Sequence, residues 1–425
     1  MRSKRWKLAG LSVVVTLAAV LLFLNLSSAE KQIQRPIERL FSLESPQFKR
    51  SLNLLLGPPL TDGNAVQVLL NGDQIFPAML DAIRSAKHSI TFETFIYWDG
   101  NIGQQFANAL LDRAKNGVSI HIILDWLGSA KIDQESLARM RLAGIQVERF
   151  HKPSWWTLDD LNNRTHRKLL VIDGQIGFTG GVGIADQWLG SAQDPAHWRD
   201  THFRIEGPVV AQLQIAFVDN WIKSTGTVLH GEKYFPPLSP AGSLSAQMFV
   251  SSPSGGSESM QLMYLTALTS ASKSILLSAA YFVPDELTRK ALIDAAERGV
   301  QITIIVPGEH IDTDVVRWAS RESWGELLKA GITIAEYVPT MYHCKVLIVD
   351  DFLVSVGSTN FDSRSFKLND EANLNVLDHG FAVAQRAIFE QDLADAQVVS
   401  LEQWANRPWR EKLFEKLSAA MADQL

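Results

Sequence analysis

The chain contains one cysteine, Cys344, in 425 residues. An intramolecular disulfide is therefore excluded, and the redox compartment is left open. A basic excess is missing too: the net charge is −6. Proteins that grip a phosphate backbone normally carry a basic surface, so nucleic acid is not an expected partner. A local basic pocket is still allowed. Charged residues make up 20% and hydrophobic residues 46%, a globular composition rather than a disordered one. No cluster of metal-ligand residues accompanies the motifs described below, and no cofactor is expected. Long apolar runs are absent, with one exception at the N-terminus.

That exception runs from Leu8 to Leu26, after Arg2, Lys4, Arg5 and Lys7. One reading is a signal peptide cut after Ala29, with Ser27 and Ala29 as the small residues. The other is an uncleaved membrane anchor, which needs ~20 apolar residues. The run exceeds the ~7–15 residues of a usual signal-peptide core, which favours the anchor. Lys31, Arg35 and Arg39 follow it closely, so the side of the membrane is only weakly signalled.

What is present is a stretch dense in chemistry. Residues 343–371 read HCKVLIVDDFLVSVGSTNFDSRSFKLNDE. His343 and Lys345 lie two apart in a run of β-formers, so they project from one face of a strand. Cys344 then points to the opposite face, as a core residue. Asp350-Asp351 breaks the run, and Gly357-Ser358-Thr359-Asn360 turns out of a second strand. Lys345 and Asn360 suit phosphate oxygens, one as a point charge and one as an amide donor. His343 can attack phosphorus or move a proton, and Glu371 can fix its tautomer.

A second copy decides the organisation. Residues 166–181 read HRKLLVIDGQIGFTGG, so His166, Lys168 and Asp173 repeat the spacing of His343, Lys345 and Asp350. The histidines are 177 residues apart (343 − 166). Flanking segments repeat as well: SILLSAAYF answers SITFETFIY, and RGVQITIIVPG answers NGVSIHIILDW. This is duplication of a whole domain, not a solenoid. Asp200, 34 residues after His166 (200 − 166), is the expected partner of that histidine.

HxKxxxxD followed by GSxN resembles the signature of the phospholipase D superfamily. With Asp362, Arg364-Ser365-Phe366, Asn369 and Glu371, the second copy is similar to the cardiolipin synthase branch. Gly183 stands where such enzymes usually keep an Asn. The resemblance covers roughly residues 61–400. It implies an α/β fold of two fused phospholipase D-like α/β/α domains related by a pseudo-twofold axis, behind an N-terminal transmembrane or signal segment. The expected limits are 1–30 for that segment, 31–60 juxtamembrane, 61–235 first domain, 236–245 linker, 246–400 second domain and 401–425 an amphipathic C-terminal helix.

Strands and helices alternate as such a fold requires. Gln134–Ala143 is expected as a helix with Asp133 as N-cap and Gly144 as its stop. Pro208 suits the first turn of a helix carrying Val209, Leu213, Phe217 and Trp221 on one face. Trp155 and Trp156, in the loop before His166, are expected to pack over the site or to dip into a membrane interface.

The resemblance also implies a reaction. One histidine takes a phosphatidyl group while the other protonates the leaving alcohol and then deprotonates the acceptor. His166 is expected to be the nucleophile and His343 the acid and base. Lys168, Lys345, Ser358 and Asn360 would hold the phosphate, and no metal is required. Asp173 and Asp350 match the motif, though their place at strand ends suits holding turns. The expected reaction converts two phosphatidylglycerol molecules to cardiolipin and glycerol. A phospholipid hydrolase and a nuclease are the alternatives, and an inactive membrane scaffold is a third. The partners expected are phospholipid and a bacterial-type cell membrane; the oligomeric state is open.

Overall fold

A computed structural model describes residues 35–152, 162–253 and 259–422, with isolated positions 12, 15, 16, 19, 20 and 33. The anchor-or-signal reading therefore lies almost wholly outside the described residues, and Trp155 and Trp156 lie outside them too. No helix among the described residues is long and apolar enough to cross a membrane.

The first part of the chain runs α1 (Pro46–Leu55), β1 (Thr61–Leu70), α2 (Asn71–Ser85), β2 (Ser89–Thr94), α3 (Asn101–Lys115), β3 (Ser119–Asp125), α4 (Gln134–Leu142) and β4 (Gln146–Phe150). It continues through β5 (Arg164–Thr165), β6 (Leu169–Ile172), β7 (Ile176–Gly180), β8 (Thr201–Glu206) and α5 (Val210–Thr225). The second part runs β9 (Leu244–Ser251), α6 (Ser259–Ser270), β10 (Ser274–Ala279), β11 (Phe282–Val283), α7 (Glu286–Glu297), β12 (Gln301–Pro307), α8 (Asp314–Lys329) and β13 (Thr333–Tyr337). It closes with β14 (Lys345–Val349), β15 (Leu353–Gly357), β16 (Phe361–Asp362), α9 (Ser363–Lys367), β17 (Asn369–Leu377), α10 (His379–Ala394), β18 (Ala396–Val398), α11 (Leu401–Ala405) and α12 (Trp409–Ala419).

Local chemistry explains the boundaries. The Asp133 carboxylate accepts from the backbone N–H groups of Glu135 and Ser136 and starts α4, as an N-cap should. Helix α5 begins at Val210 with Val209 as its cap, so Pro208 precedes the helix instead of opening it. Leu213, Phe217 and Trp221 are nevertheless all buried. Strands β2 and β10 are buried along their whole length, because helices cover both faces of the sheet at these parallel strands.

The duplication is visible in the strand order, β18-β13-β12-β10-β14-β15-β17-β9-β1-β8-β7-β6-β2-β3-β4. Read outward from the β9–β1 junction, β17, β15, β14, β10, β12 and β13 on one side answer β8, β7, β6, β2, β3 and β4 on the other. The halves thus share one sheet. The expected linker ends early: β9 starts at Leu244, and β1 pairs with it at Asn64↔Leu244. A core cluster crosses the seam, joining Leu169, Val171 and Phe203 to Met248, Val354 and Leu374. Fully burying one such side chain contributes roughly 1.5–3 kcal/mol. Separating the halves would therefore open a core.

Candidate functional site

His166 and His343 each sit just before an inner strand, β6 and β14. Strand alternation turns each lysine to the side of its histidine. Lys168 Nζ donates to the His166 carbonyl at 2.9 Å, and Lys345 Nζ donates to the His343 carbonyl at 2.9 Å. Cys344 faces the seam core, where burial pushes its thiol up to about 12.

The carboxylate partners are exchanged between the copies. His166 Nδ1 faces Glu371 Oε1 and Oε2 at 3.0 and 3.1 Å. His343 Nδ1 faces Asp200 Oδ2 at 2.7 Å. This corrects the within-copy pairing expected from spacing. The cause is a reciprocal backbone exchange. The strand carrying His166's approach, β5, pairs in parallel with β17 at Arg164↔Asn369 and Thr165↔Asp370, and His166 N–H donates to the Asp370 carbonyl. Conversely Arg199 bridges Tyr342, and His343 N–H donates to the Arg199 carbonyl. Each histidine is thereby held beside the residue that precedes the other half's carboxylate. Arg199 itself is buried in a two-bond pair with Asp392, so Asp200 is free for His343.

A carboxylate accepts, so Nδ1 of each imidazole carries the proton and Nε2 presents a lone pair to the cleft. The rings are set by aromatic neighbours. Phe95 meets His166 edge-on at 5.2 Å between ring centres, and Trp188 and Trp198 meet His343 at 5.3 and 5.4 Å. Trp188 Nε1 also donates to Asp200 Oδ2 at 2.9 Å, and Thr201 N–H donates to Oδ1 at 2.8 Å. Ser358 Oγ donates to Glu371 Oε2 at 2.5 Å and receives the Ala372 N–H at 3.0 Å. Ser358 therefore supports the histidine of the other copy.

Burial lowers His166 to about 4 and His343 to about 3, outweighing the carboxylates. Both rings are therefore neutral at pH 7 in spite of their carboxylates. Burial likewise lowers Lys168 to about 7 and lowers Lys345. Against burial, which would raise them, His166 and Lys168 bring Glu371 below the usual range. His343 and Lys345 do the same for Asp200. Each lysine also depresses the histidine across the seam. The six groups are thus one electrostatic unit, two carboxylates set against two lysines and two neutral imidazoles. An arriving phosphodiester would favour the charged forms of its lysines and histidines.

The remaining motif residues divide. Asp173 accepts from the N–H groups of Lys87, His88 and Ser89 at 2.7–2.8 Å. Asp350 accepts from those of Ser272, Lys273 and Ser274 at 2.7–2.9 Å. Both occupy left-handed backbone, φ 51° and 53°, which Asp tolerates. They tie hairpin turns at the far ends of β6 and β14 and do not reach the cleft, which removes them from a catalytic role. Asn360 is buried, its N–H donates to Ser365 Oγ at 3.2 Å, and its Oδ1 has no partner among the described residues. That leaves the amide available to a ligand. Arg364 reaches across to Asn162 just ahead of His166.

Both glycines of the first turn are filled spaces. A Cβ on Gly181 would lie 2.1 Å from Asp200 Oδ1, and one on Gly183 would lie 2.8 Å from Ile96 Cβ. Gly181 opens room for Asp200, not for a ligand beside His166. Gly183 excludes the Asn of related enzymes because Ile96 and Trp188 occupy its place. Sequence reasoning missed Phe95 and Trp188. The only signals were an aromatic residue just past the β2 run and a Trp shortly after the Gly-rich turn.

The family model described as cardiolipin synthase, PLD-like domain, matches residues 79–213 and 264–393, one span in each half. Cardiolipin synthase 1 of Bacillus anthracis is 33% identical over 390 residues, covering 88% of this chain and 76% of that protein. Cardiolipin synthase A of Pseudomonas fluorescens is 34% identical over 351 residues, covering 81% and 72%. In fold, the chain is similar to the crystal structure of phosphatidylserine synthase from Haemophilus influenzae. The TM-score is 0.68 at 14% identity, over 89% of this chain and 98% of that one. With the repeated motif, the mirrored strand order and a match to both halves, the chain belongs to the cardiolipin synthase family of phospholipase D-like proteins.

Proposed function

We propose that the protein is a phosphatidyltransferase that converts two phosphatidylglycerol molecules to cardiolipin and glycerol. The observation that carries this is the paired site: two imidazoles, each fixed by a carboxylate from the other half, with a lysine beside each. His166 Nε2 attacks the phosphorus of one phosphatidylglycerol. An N–P bond forms, the P–O bond to glycerol breaks, and His343 supplies the proton that glycerol oxygen takes. The hydroxyl of a second phosphatidylglycerol then gives its proton to His343 and attacks phosphorus, and the N–P bond breaks. The phosphate's charge, arriving beside Lys168 and Lys345, favours the imidazolium that the first step needs. Lys168, Lys345 and Asn360 hold the equatorial oxygens.

His166 is assigned as nucleophile because both oxygens of Glu371 face its Nδ1, whereas Lys345 Nζ lies 3.2 Å from both ring nitrogens of His343. A cation placed there assists proton transfer more than attack. The apolar run 8–26 and the names of the relatives support membrane residence and a lipid substrate. Incubating the full chain with phosphatidylglycerol vesicles and analysing lipids by mass spectrometry tests the reaction. Cardiolipin with equimolar glycerol is expected. Phosphatidic acid without cardiolipin at any lipid density would make the protein a hydrolase.

A further inference from the structure

Helix α12 is turned inside out relative to an ordinary surface helix, which buries its apolar stripe and shows its charges. Glu415 is buried, paired with Arg407 Nη2 at 2.5 Å and with Arg321 Nε at 3.5 Å, and Glu411 meets Arg321 at 3.3 Å. The acids of the helix therefore face α8. Its outer face carries Trp409, Leu413 and Leu417, and Met421 continues the line at four-residue spacing; they are 69%, 49%, 59% and 51% exposed. Phe414, 49% exposed, leans on Trp318 beside this stripe. The outward charges on the helix are Arg410 and Lys416, both cations, and neither pairs with a described carboxylate.

The stripe leads to the cleft. Ala422, one residue past Met421, packs against the small core of Val283, Val316 and Ala319, on which Tyr281 and Ile311 also rest. The Tyr281 carbonyl accepts the N–H of Phe361, the neighbour of Asn360. Its hydroxyl donates to Asp312 at 2.8 Å. An exposed line of large apolar residues, edged by cations and ending beside the second-copy loop, fits one partner best.

We propose that the outer face of α12 seats on an anionic bilayer, with Trp409, Leu413, Leu417 and Met421 in the acyl boundary and Arg410 and Lys416 at the headgroups. Apolar burial and attraction to anionic lipid then act together. Seating is read by fluorescence without turnover, and only the activity comparison rests on the proposed reaction.

The test uses the full chain. Cys344 is 1% exposed, so Leu417→Cys and, as a control on α3, Lys115→Cys each offer one reactive thiol for an environment-sensitive fluorophore. On phosphatidylglycerol vesicles carrying a quencher in the acyl chains, the label at 417 should shift to the blue and be quenched. The label at 115 should do neither. In phosphatidylcholine vesicles the response at 417 should be weaker. The double variant Leu413→Glu, Leu417→Glu should lower turnover on vesicles about tenfold, the effect of ~1.4 kcal/mol in partitioning, and leave turnover of monomeric short-chain phosphatidylglycerol unchanged. No quenching at 417 on vesicles that bind the protein would overturn the proposal. So would equal loss of activity on both substrates. A blue shift without lipid that grows with protein concentration would replace the bilayer by a second copy of this chain.

Discussion

His166 Nδ1 lies 3.0 Å from Oε1 of Glu371, a residue 205 positions away in the other half of the chain. Asp200, the carboxylate of its own copy, serves His343 instead. Each half is therefore incomplete: neither copy holds both a histidine and that histidine's carboxylate. The downfield Nδ1–H proton resonance of His166 should vanish in Glu371→Gln and persist in Asp200→Asn, and that of His343 should respond the other way round. Turnover should fall about 10²–10⁴-fold in either variant. Loss of the His166 signal in Asp200→Asn would place the pairing within each copy.

The two motif aspartates should behave as structural groups. Asp350 is 5% exposed and accepts three backbone N–H groups, and hydrogen bonds to a charged group contribute ~1.5–3 kcal/mol. Asp350→Asn is expected to lower the unfolding free energy by about 2 kcal/mol, measured by chemical denaturation. Turnover per folded molecule should stay within about twofold. A large fall in kcat without a loss of stability would return Asp350 to the active site.

Gly183→Asn restores the residue common in related enzymes but not the room for it. Its Cβ would meet Ile96 Cβ at 2.8 Å and Trp188 at 3.2 Å. Overpacking of this kind typically costs ~1–3 kcal/mol. Because Trp188 donates to Asp200, activity should fall along with stability, in thermal denaturation and turnover assays. A gain in activity would mean the turn has space that the packing denies.

Beneath His166, Glu93 sets a pH dependence. Its Oε1 accepts from the Thr165 hydroxyl and from Asn220 Nδ2, while Oε2 has no partner among the described residues. Burial raises it to about 7, with Arg167 opposing. Between pH 4.5 and 7 the folded state keeps this proton and the unfolded state has lost it. Stability from this group is thus full at low pH and declines as pH rises to 7, by up to ~1.4 kcal/mol per unit. Denaturation of Glu93→Gln at pH 5, 6 and 7 should show that decline removed, so the variant gains on the wild type as pH rises. Parallel curves would mean Glu93 is ionised throughout.

Much of the architecture was legible because duplication repeats local patterns. The strand–helix alternation, the Asp133 cap and the shared face of His343 and Lys345 follow from neighbours in sequence. The crossing of the carboxylates was not legible. It arises from β5 pairing with β17 and from Arg199 bridging Tyr342, contacts between copies that no spacing within a copy encodes. Gly181 illustrates the same limit. In sequence it is one glycine of the turn after the first motif, and in the fold the room it leaves holds a carboxylate working for His343. The lowering of both histidines was not legible either. The partners could be guessed, but the burial that outweighs them comes from Phe95, Trp188 and Trp198 closing over the rings.

The central claim is a phosphatidyl group carried on His166 while His343, oriented by Asp200, moves the proton. Rapid-quench mixing with phosphatidylglycerol, followed by proteolysis and mass spectrometry, locates the adduct directly. The wild type should show it on His166. With a phosphatidyl donor whose leaving group needs no proton, Asp200→Asn should accumulate it, since its breakdown needs the base, and Glu371→Gln should form little. An adduct on His343 in the wild type, or accumulation in Glu371→Gln instead of Asp200→Asn, would contradict the account.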